Sequence, residues 1–131
     1  NRAAREKMHH ASCMAGMAFT NAFLGICHSL AHKLGGEFHI THGRANAILL
    51  PHVIKYNSQL PTKFTSFPQY EYFKAPEKYL EIARFLGLQA NNEEEGINSL
   101  IKAIQVLMRR LDQPLTIADC GVNEGAYMDG V

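Results

Sequence analysis

Apolar residues recur at helical spacing along most of this sequence, which gathers them on one face of each predicted helix. The first such stretch runs from Ala3 to about Thr20 and becomes apolar on nearly all sides, as in a helix that enters a protein interior. A second stretch runs from Asn21 to Leu34, and the pair Gly35-Gly36 after it is a typical helix stop. The pattern therefore predicts two helices, the second ending at the two glycines.

The segment Ala11–Cys27 is apolar enough to suggest a membrane span. Polar residues interrupt it, however, and it is shorter than the roughly 20 residues that a spanning helix needs. We expect instead a buried core segment, in which flexible methionine side chains fill irregular gaps. The methionines concerned are Met8, Met14 and Met17.

A third helix is predicted after a short connector. Thr41 can act as its N-cap, the helical pattern continues to Asn57, and Pro51 inside it predicts a kink. The next stretch, Ser58–Ala75, combines prolines and many aromatic residues with no helical period. We expect a long loop there, with its aromatic rings docked onto the body of the protein.

Two amphipathic helices are predicted further along. Pro76 occupies a favoured first-turn position, and Gly87 ends the helix that follows it. The stretch "EEEGINSLIKAIQVLMRRL" then begins with acids and ends with arginines, which matches the helix dipole at both ends. Short helical pieces capped by Thr116 and Asn123 follow. The apolar face of the first of these helices comprises Tyr79, Leu80, Ile82, Ala83 and Leu86.

The sequence contains no convincing strand pattern and no internal repeat, so the predicted fold class is all-α. With 131 residues and 47% hydrophobic content, the chain can bury one core of ordinary domain size, and we expect a single domain. Its 13 basic and 12 acidic side chains are mixed along the chain and give a formal charge of +1. This balance lacks the basic stripe that nucleic acid or an anionic membrane selects, so we expect neither partner.

The cysteines are odd in number and far apart, which is typical of reduced thiols in a cytosolic protein and not of a disulfide framework. They are Cys13, Cys27 and Cys120. The first ten residues lack the order of a signal peptide, so we expect a cytoplasmic protein. Both ends interrupt helical sequence, and we therefore expect a fragment of a longer protein.

Candidate chemistry is concentrated in "HSLAHKLGGEFHITH", which holds four histidines between His28 and His42. His28 and His32 are one helical turn apart and share a face. After the two glycines the chain can fold back, so that His39 or His42 approaches that face and three nitrogen donors converge on a metal ion. Against this interpretation, histidines are common at helix ends, and Glu37 is the single nearby carboxylate. A complete metal site would need ligands from outside this chain.

Other nucleophile and cofactor patterns are weaker. Cys27 adjoins His28, but neighbours on a helix point in different directions, so a core thiol is favoured over a Cys-His dyad. His52 is interpreted as a packing residue, and His9 and His10 as solvated. The chain contains no glycine-rich fingerprint for a dinucleotide.

The segment "NAFLGICHSLAHKLGGEFHITHGRANAILLPHVIKYN", residues 21–57, closely resembles the second signature of the iron-containing alcohol dehydrogenases. Within that family it is most similar to the alcohol dehydrogenase half of the bifunctional acetaldehyde/alcohol dehydrogenases. The likeness extends from "AREKMHHASCMAGMAF" through "PTKFTSFPQY" and "YLEIARFLGL" to "ADCGVNEGAYM" and so covers essentially the whole chain. It implies that residues 1–131 are one helical metal-binding domain, the C-terminal domain of a dehydroquinate synthase-like fold, incomplete at both ends. An NAD-binding α/β domain is then expected upstream.

The resemblance also divides the roles of the histidines. The family's metal centre uses one Asp and three His, and the two downstream histidines correspond to His28 and His42; the Asp and the first His are expected upstream of Asn1. His32 corresponds to a residue beside the nicotinamide that relays protons, so it is expected to be catalytic and cofactor-binding and not a metal ligand. His39 has no ligand counterpart and is interpreted as structural.

The function implied by the resemblance is the reversible reduction of acetaldehyde, or another short aldehyde, to its alcohol during fermentation. The expected cofactors are Fe²⁺, with zinc possible, and NAD(H). The expected partners are the small alcohol or aldehyde, the upstream nucleotide-binding domain and further copies in a homo-oligomer or filament, and the chain by itself is expected to be inactive. The alternative is a helical interaction module whose histidines are structural or bind zinc to fasten helices.

Overall fold

The computed structural model describes residues 1–60 and 73–130. These residues form six α-helices and one 3₁₀ turn, Ala118–Cys120, and they contain no strand, which confirms the predicted all-α class. The helices are α1 (Arg2–Ala22), α2 (Ile26–Phe38), α3 (His42–Asn57), α4 (Ala75–Phe85), α5 (Glu93–Arg110) and α6 (Glu124–Gly130).

The first helix, α1, is exposed along its length. It begins at Asn1, whose side-chain oxygen accepts a hydrogen bond from the N–H of Ala4 at 3.3 Å. None of its residues is buried, and the three methionines predicted to fill a core are at least 59% exposed. The prediction that Ala11–Cys27 forms a buried core segment is therefore wrong for this chain. The apolar composition of α1 predicts that other helices pack against it, but no described helix packs extensively along α1.

The membrane question concerns the same helices. Within residues 1–60 and 73–130, no single helix combines the length and hydropathy of a membrane span. The α1–α2 pair meets those two criteria only when its helices are taken together, and they are bent by 109° at their junction. Phe23 stands at this bend with a positive φ of 62°.

The end of α2 differs from the predicted stop. The helix continues through Gly35 and Gly36 to Phe38, and His39 ends it with a left-handed φ of 55°. A Cβ on Gly35 would lie 3.3 Å from the carbonyl oxygen of Ile40, so glycine at this position lets the returning chain come close. Burial of Ile40 beside α2 helps to offset the roughly 1 kcal/mol that a glycine costs inside a helix.

Helix α3 agrees with the prediction in its extent. It begins at His42 directly after Thr41, although the Thr41 side chain makes no capping hydrogen bond. It runs to Asn57, with Pro51 inside it and buried. The predicted long loop Ser58–Ala75 and its docked aromatic rings fall mainly on residues 61–72, which lie outside the described residues.

Helices α4 and α5 pack closely together. Pro76 lies in the first turn of α4 and Gly87 follows its end with a φ of 69°, as predicted. Gly96 of α5 is buried where the helices meet, and a Cβ there would stand 2.9 Å from Cδ1 and 3.2 Å from Cα of Leu80. The predicted apolar face of α4 is only partly correct, because Ile82 and Leu86 are exposed.

The C-terminal turns follow their predicted caps. Thr116 Oγ1 accepts from the N–H of Asp119 at 3.1 Å, and Asn123 Oδ1 accepts from the N–H of Ala126 at 2.8 Å. Hydrogen bonds from Thr116, through its side chain and its backbone, and from the backbone of Leu115 lower the pKa of Asp119. The ring of Tyr127 stacks on that of Phe38 at 6.1 Å, which fastens α6 to the end of α2.

Two clusters of buried apolar residues organise the helices. The first joins α2 to the start of α3, and the second joins the end of α3 to α4 and α5. Because α3 belongs to both, its first turn is held against α2 and brings His42 beside that helix. The first cluster contains Ala31, Leu34, Ile40 and Ala45, and the second contains Ile54, Ala83, Ile97 and Leu100.

Candidate functional site

Three histidine rings come together where α2 and α3 meet. The ring centroids of His28 and His42 are 5.3 Å apart, those of His32 and His42 are 5.2 Å apart, and those of His28 and His32 are 6.5 Å apart. His28 is half-buried, whereas His32 and His42 are exposed. The structure thus brings together all three histidines that the sequence singled out as ligands or as a proton relay.

The local fold explains this convergence. His28 and His32 share a face of α2 because they are one turn apart. The left-handed residue His39 then reverses the chain, and α3 begins three residues later at His42. Burial of Ala31 and Leu34 of α2 against Ile40 and Ala45 keeps this reversal closed, so the ring of His42 returns to the exposed face of α2.

The other candidates from the sequence lie outside this cluster. His39 is exposed at the helix end, and Glu37 is paired with Lys33 across one turn of α2 at 3.6 Å. His52 is exposed, so its interpretation as a packing residue is wrong. His9 and His10 are exposed, as predicted. Of the two histidines that could fold back onto α2, only His42 does so.

Two residues that the sequence reasoning missed lie beside the cluster. The side-chain amide of Asn46 is 3.2 Å from Nε2 of His42, and the ring of Phe19 lies 6.4 Å from that of His28. Asn46 lies one turn after His42 on α3, and this spacing alone predicts that the two side chains are neighbours. No local pattern signals Phe19, because its position depends on the bend between α1 and α2.

Cys27 is also close but differs in chemistry. Its thiol donates a long hydrogen bond to the backbone oxygen of Asn46 at 3.7 Å, and burial raises the pKa of Cys27. A raised pKa disfavours the thiolate, which is the nucleophilic form. The environment of Cys27 is thus in keeping with a core thiol and does not suit a Cys-His dyad.

The histidine donors fit part of a metal site. Two imidazoles bound to one tetrahedral metal through bonds of about 2.1 Å have ring centres roughly 5 Å apart, and both pairs that include His42 meet this spacing. Imidazole nitrogen suits both iron and zinc. Residues 1–60 and 73–130 contain no group of three or more His, Cys, Asp or Glu side chains arranged to hold a metal ion. The described chain therefore offers an incomplete set of ligands.

The described residues form a helical unit in which histidines cluster at the turn between two helices. Known protein families can be compared with this chain on that basis. Residues 1–129 match the family model described as "Fe-containing alcohol dehydrogenase family, C-terminal". The chain therefore belongs to the iron-containing alcohol dehydrogenases and forms part of their C-terminal domain.

Individual relatives agree with this assignment. An aldehyde-alcohol dehydrogenase of Streptococcus pneumoniae is 54% identical over 95% of this chain, and an NADPH-dependent butanol dehydrogenase of Clostridium saccharobutylicum is 46% identical over 98% of it. The crystal structure of a 1,3-propanediol oxidoreductase covers 99% of this chain with a TM-score of 0.79 and 36% identity. The chain spans 14%, 29% and 31% of the lengths of these three proteins, respectively.

Proposed function

We propose that the full-length protein containing this chain is a metal- and NAD(H)-dependent alcohol dehydrogenase that reversibly reduces acetaldehyde, or another short aldehyde, to the alcohol. The observation that carries the proposal is the 5.3 Å approach of the His28 and His42 rings across the turn between α2 and α3. Family membership supports it, since the same two histidines are those that the resemblance assigned to the metal. A role in cytoplasmic fermentation is part of the proposal.

The residues have distinct proposed roles. His28 and His42 hold the metal through ring nitrogens, and the remaining ligands, an Asp and a His, come from the upstream part of the protein. A bound Fe²⁺ or Zn²⁺ supplies a Lewis acid that polarises the carbonyl oxygen, and NADH supplies the hydride. His32 is exposed on the same face, 5.2 Å from His42 between ring centroids, and transfers the proton between the substrate oxygen and solvent.

The upstream part of the protein also completes the proposed enzyme. An α/β domain there binds NAD(H), and the cleft between it and this helical unit holds the substrate. Copies of the full-length protein assemble into a homo-oligomer or filament. These elements follow from the family and not from the described residues, which carry no dinucleotide fingerprint.

The proposal is tested by separating metal loading from turnover in the full-length protein. We expect His28→Ala and His42→Ala each to abolish stoichiometric metal, measured by elemental analysis, together with oxidation of NADH in the presence of acetaldehyde. His32→Ala is expected to retain the metal and to lower kcat by about 10²- to 10⁴-fold, as for loss of a general acid-base group. NADPH is assayed in parallel, because one relative is named for it.

His52→Ala is the matched control, since His52 is an exposed histidine of α3 that lies outside the ring cluster. It should change neither metal content nor kcat. Stoichiometric metal in both His28→Ala and His42→Ala would contradict the ligand assignment. Tight metal binding by the wild type without oxidation of NADH or NADPH would contradict the enzymatic proposal and favour a helical module that uses zinc to fasten its helices.

A further inference from the structure

Helix α5 carries a stripe of half-buried and exposed residues on the side turned away from the core. Its buried residues pack toward α3 and α4, whereas the stripe lines a shallow groove on the opposite side. Residues three, four and seven positions apart share one side of a helix, so the stripe is continuous. The α5 stripe consists of Ser99, Lys102, Ala103, Val106 and Arg110.

The charge of this surface changes sign along the helix. Glu95 lies in line with the α5 stripe one turn before Ser99, and its carboxylate accepts a hydrogen bond from the Asn91 N–H at 2.9 Å. Lys102 and Arg110 give the later part of the surface a positive charge. Among residues 1–60 and 73–130, none of these three charged side chains takes part in an ion pair. The surface is thus acidic at one end and basic at the other.

Such a surface is complementary to its own copy turned end to end. In a pair of antiparallel helices related by a two-fold axis, each contact occurs twice, once on either side of the axis. An axis that passes between Lys102 and Ala103 places Glu95 opposite Arg110 of the second copy. Two ion pairs therefore form, one at each end of the contact.

The middle of the α5 stripe allows a close approach of the two helices. Ser99 lies opposite Val106 of the second copy, and Ala103 lies beside its own copy at one edge of the axis. Small side chains there permit helix axes about 8 Å apart. At the other edge Lys102 lies beside its own copy, which is unfavourable, but its long side chain can turn the ammonium group to solvent.

We propose that the α5 stripe binds the α5 stripe of a second copy of this chain, antiparallel and about a two-fold axis between Lys102 and Ala103. The inference rests on the homo-oligomer in the proposed function and assigns one of its contact surfaces. A contact between two helices is small compared with a standard protein interface. It therefore adds to other contacts of the full-length assembly and does not replace them.

The geometry is tested in the full-length protein with Ala103→Cys. The two copies of Ala103 have Cα atoms roughly 5 to 6 Å apart in the proposed contact, which is within the range that a disulfide spans. We expect mild oxidation to link most of this variant through position 103, identified by mass spectrometry of the linked peptides. Glu94→Cys is the matched control, because its two copies lie about 25 Å apart along the helices. Equal linkage of Glu94→Cys would reveal random collision and overturn the proposal.

The charges are tested in the Ala103→Cys background by the rate of disulfide formation. We expect Arg110→Glu to lower this rate by roughly 5- to 30-fold, because carboxylates then face each other at both ends of the contact. The effect should shrink at high salt. Lys55→Glu makes the same charge change in the last turn of α3, away from the α5 stripe, and should leave the rate unchanged.

Glu95→Gln gives a test of sign. Glutamine keeps an acceptor for the Asn91 N–H, as at the start of many helices, but removes the charge. By itself it should lower the rate of disulfide formation, because it removes the partner of Arg110. Added to Arg110→Glu it should raise the rate, because it removes a repulsion. An effect of the same sign in both backgrounds would contradict the proposed pairing.

Oxidation of NADH with acetaldehyde is measured on the same samples. If Ala103→Cys stays unlinked while the protein oxidises NADH, the inference fails and the proposed enzyme stands. If the protein is linked through position 103 but oxidises neither NADH nor NADPH, the proposed activity fails and the contact stands.

Discussion

At the scale of single residues, His39 decides how the histidines meet. It takes a left-handed backbone conformation at the end of α2, and the chain turns back there toward His42. For a residue with a Cβ this conformation costs roughly 1 kcal/mol or more, whereas glycine adopts it readily. The turn that closes the candidate site is therefore made by a residue poorly suited to it.

Replacement of His39 by glycine should stabilise the protein. We expect His39→Gly to raise the free energy of unfolding by up to about 1 kcal/mol, measured by urea denaturation, because relief of the left-handed strain exceeds the extra entropy lost by glycine. The matched control is His52→Gly, an exposed histidine inside α3, for which the free energy of unfolding should fall by roughly 0.5 kcal/mol, the difference in helix propensity between histidine and glycine. A lower stability in His39→Gly than in the wild type would show that the His39 side chain itself supports the turn.

The same residue explains what the sequence could and could not predict about the site. Helical spacing correctly placed His28 and His32 on one face, and the need for a chain reversal correctly suggested that a later histidine returns. Spacing did not choose between His39 and His42, because the choice depends on where α2 ends. Two adjacent glycines suggested an earlier end, but α2 continues through them and is closed by packing of Ile40.

At the scale of helices, local signals predicted most boundaries and few contacts. The start of α4, with Pro76 in its first turn, and its end before Gly87 are both governed by backbone chemistry that a short window of sequence contains. Which apolar side chains become buried depends instead on the partner helix. Ile82 therefore belongs to a well-formed apolar pattern yet remains exposed, while Gly96, a weak helix former, is buried against Leu80.

The contact at Gly96 can be tested with one methyl group. We expect Gly96→Ala to destabilise the protein by about 1 to 3 kcal/mol, because a Cβ there meets both Cδ1 and the backbone Cα of Leu80, and overpacking exceeds the gain in helix propensity. Gly16→Ala is the matched control: it lies inside α1, where an added Cβ meets nothing within 4 Å. That variant should raise helicity by circular dichroism without lowering Tm. Equal effects of the two substitutions would contradict the close α4–α5 approach.

At the scale of the whole molecule, α1 and the histidine cluster share one feature. Both expose groups that ordinarily have partners. Apolar side chains are exposed on α1. In the cluster, histidines are exposed, but the described residues contain no group of three or more side chains arranged to hold a metal ion. The sequence predicted burial of α1 because it is apolar, and it predicted additional ligands because carboxylates are scarce near the histidines. Whether α1 is buried depends on residues far from it in the sequence, which no local pattern contains. The prediction that α1 is buried was wrong for this reason.

The last prediction concerns the 131-residue chain by itself. We expect it to show no detectable oxidation of NADH with acetaldehyde, because the described residues supply neither a full ligand set nor a dinucleotide fingerprint. It should bind Zn²⁺ far more weakly than the full-length protein, since each missing ligand removes a bond to the metal. His42→Ala should abolish this residual binding and His52→Ala should not. Turnover by the chain alone, at a rate comparable with the full-length protein, would show that the described histidines need no additional ligands.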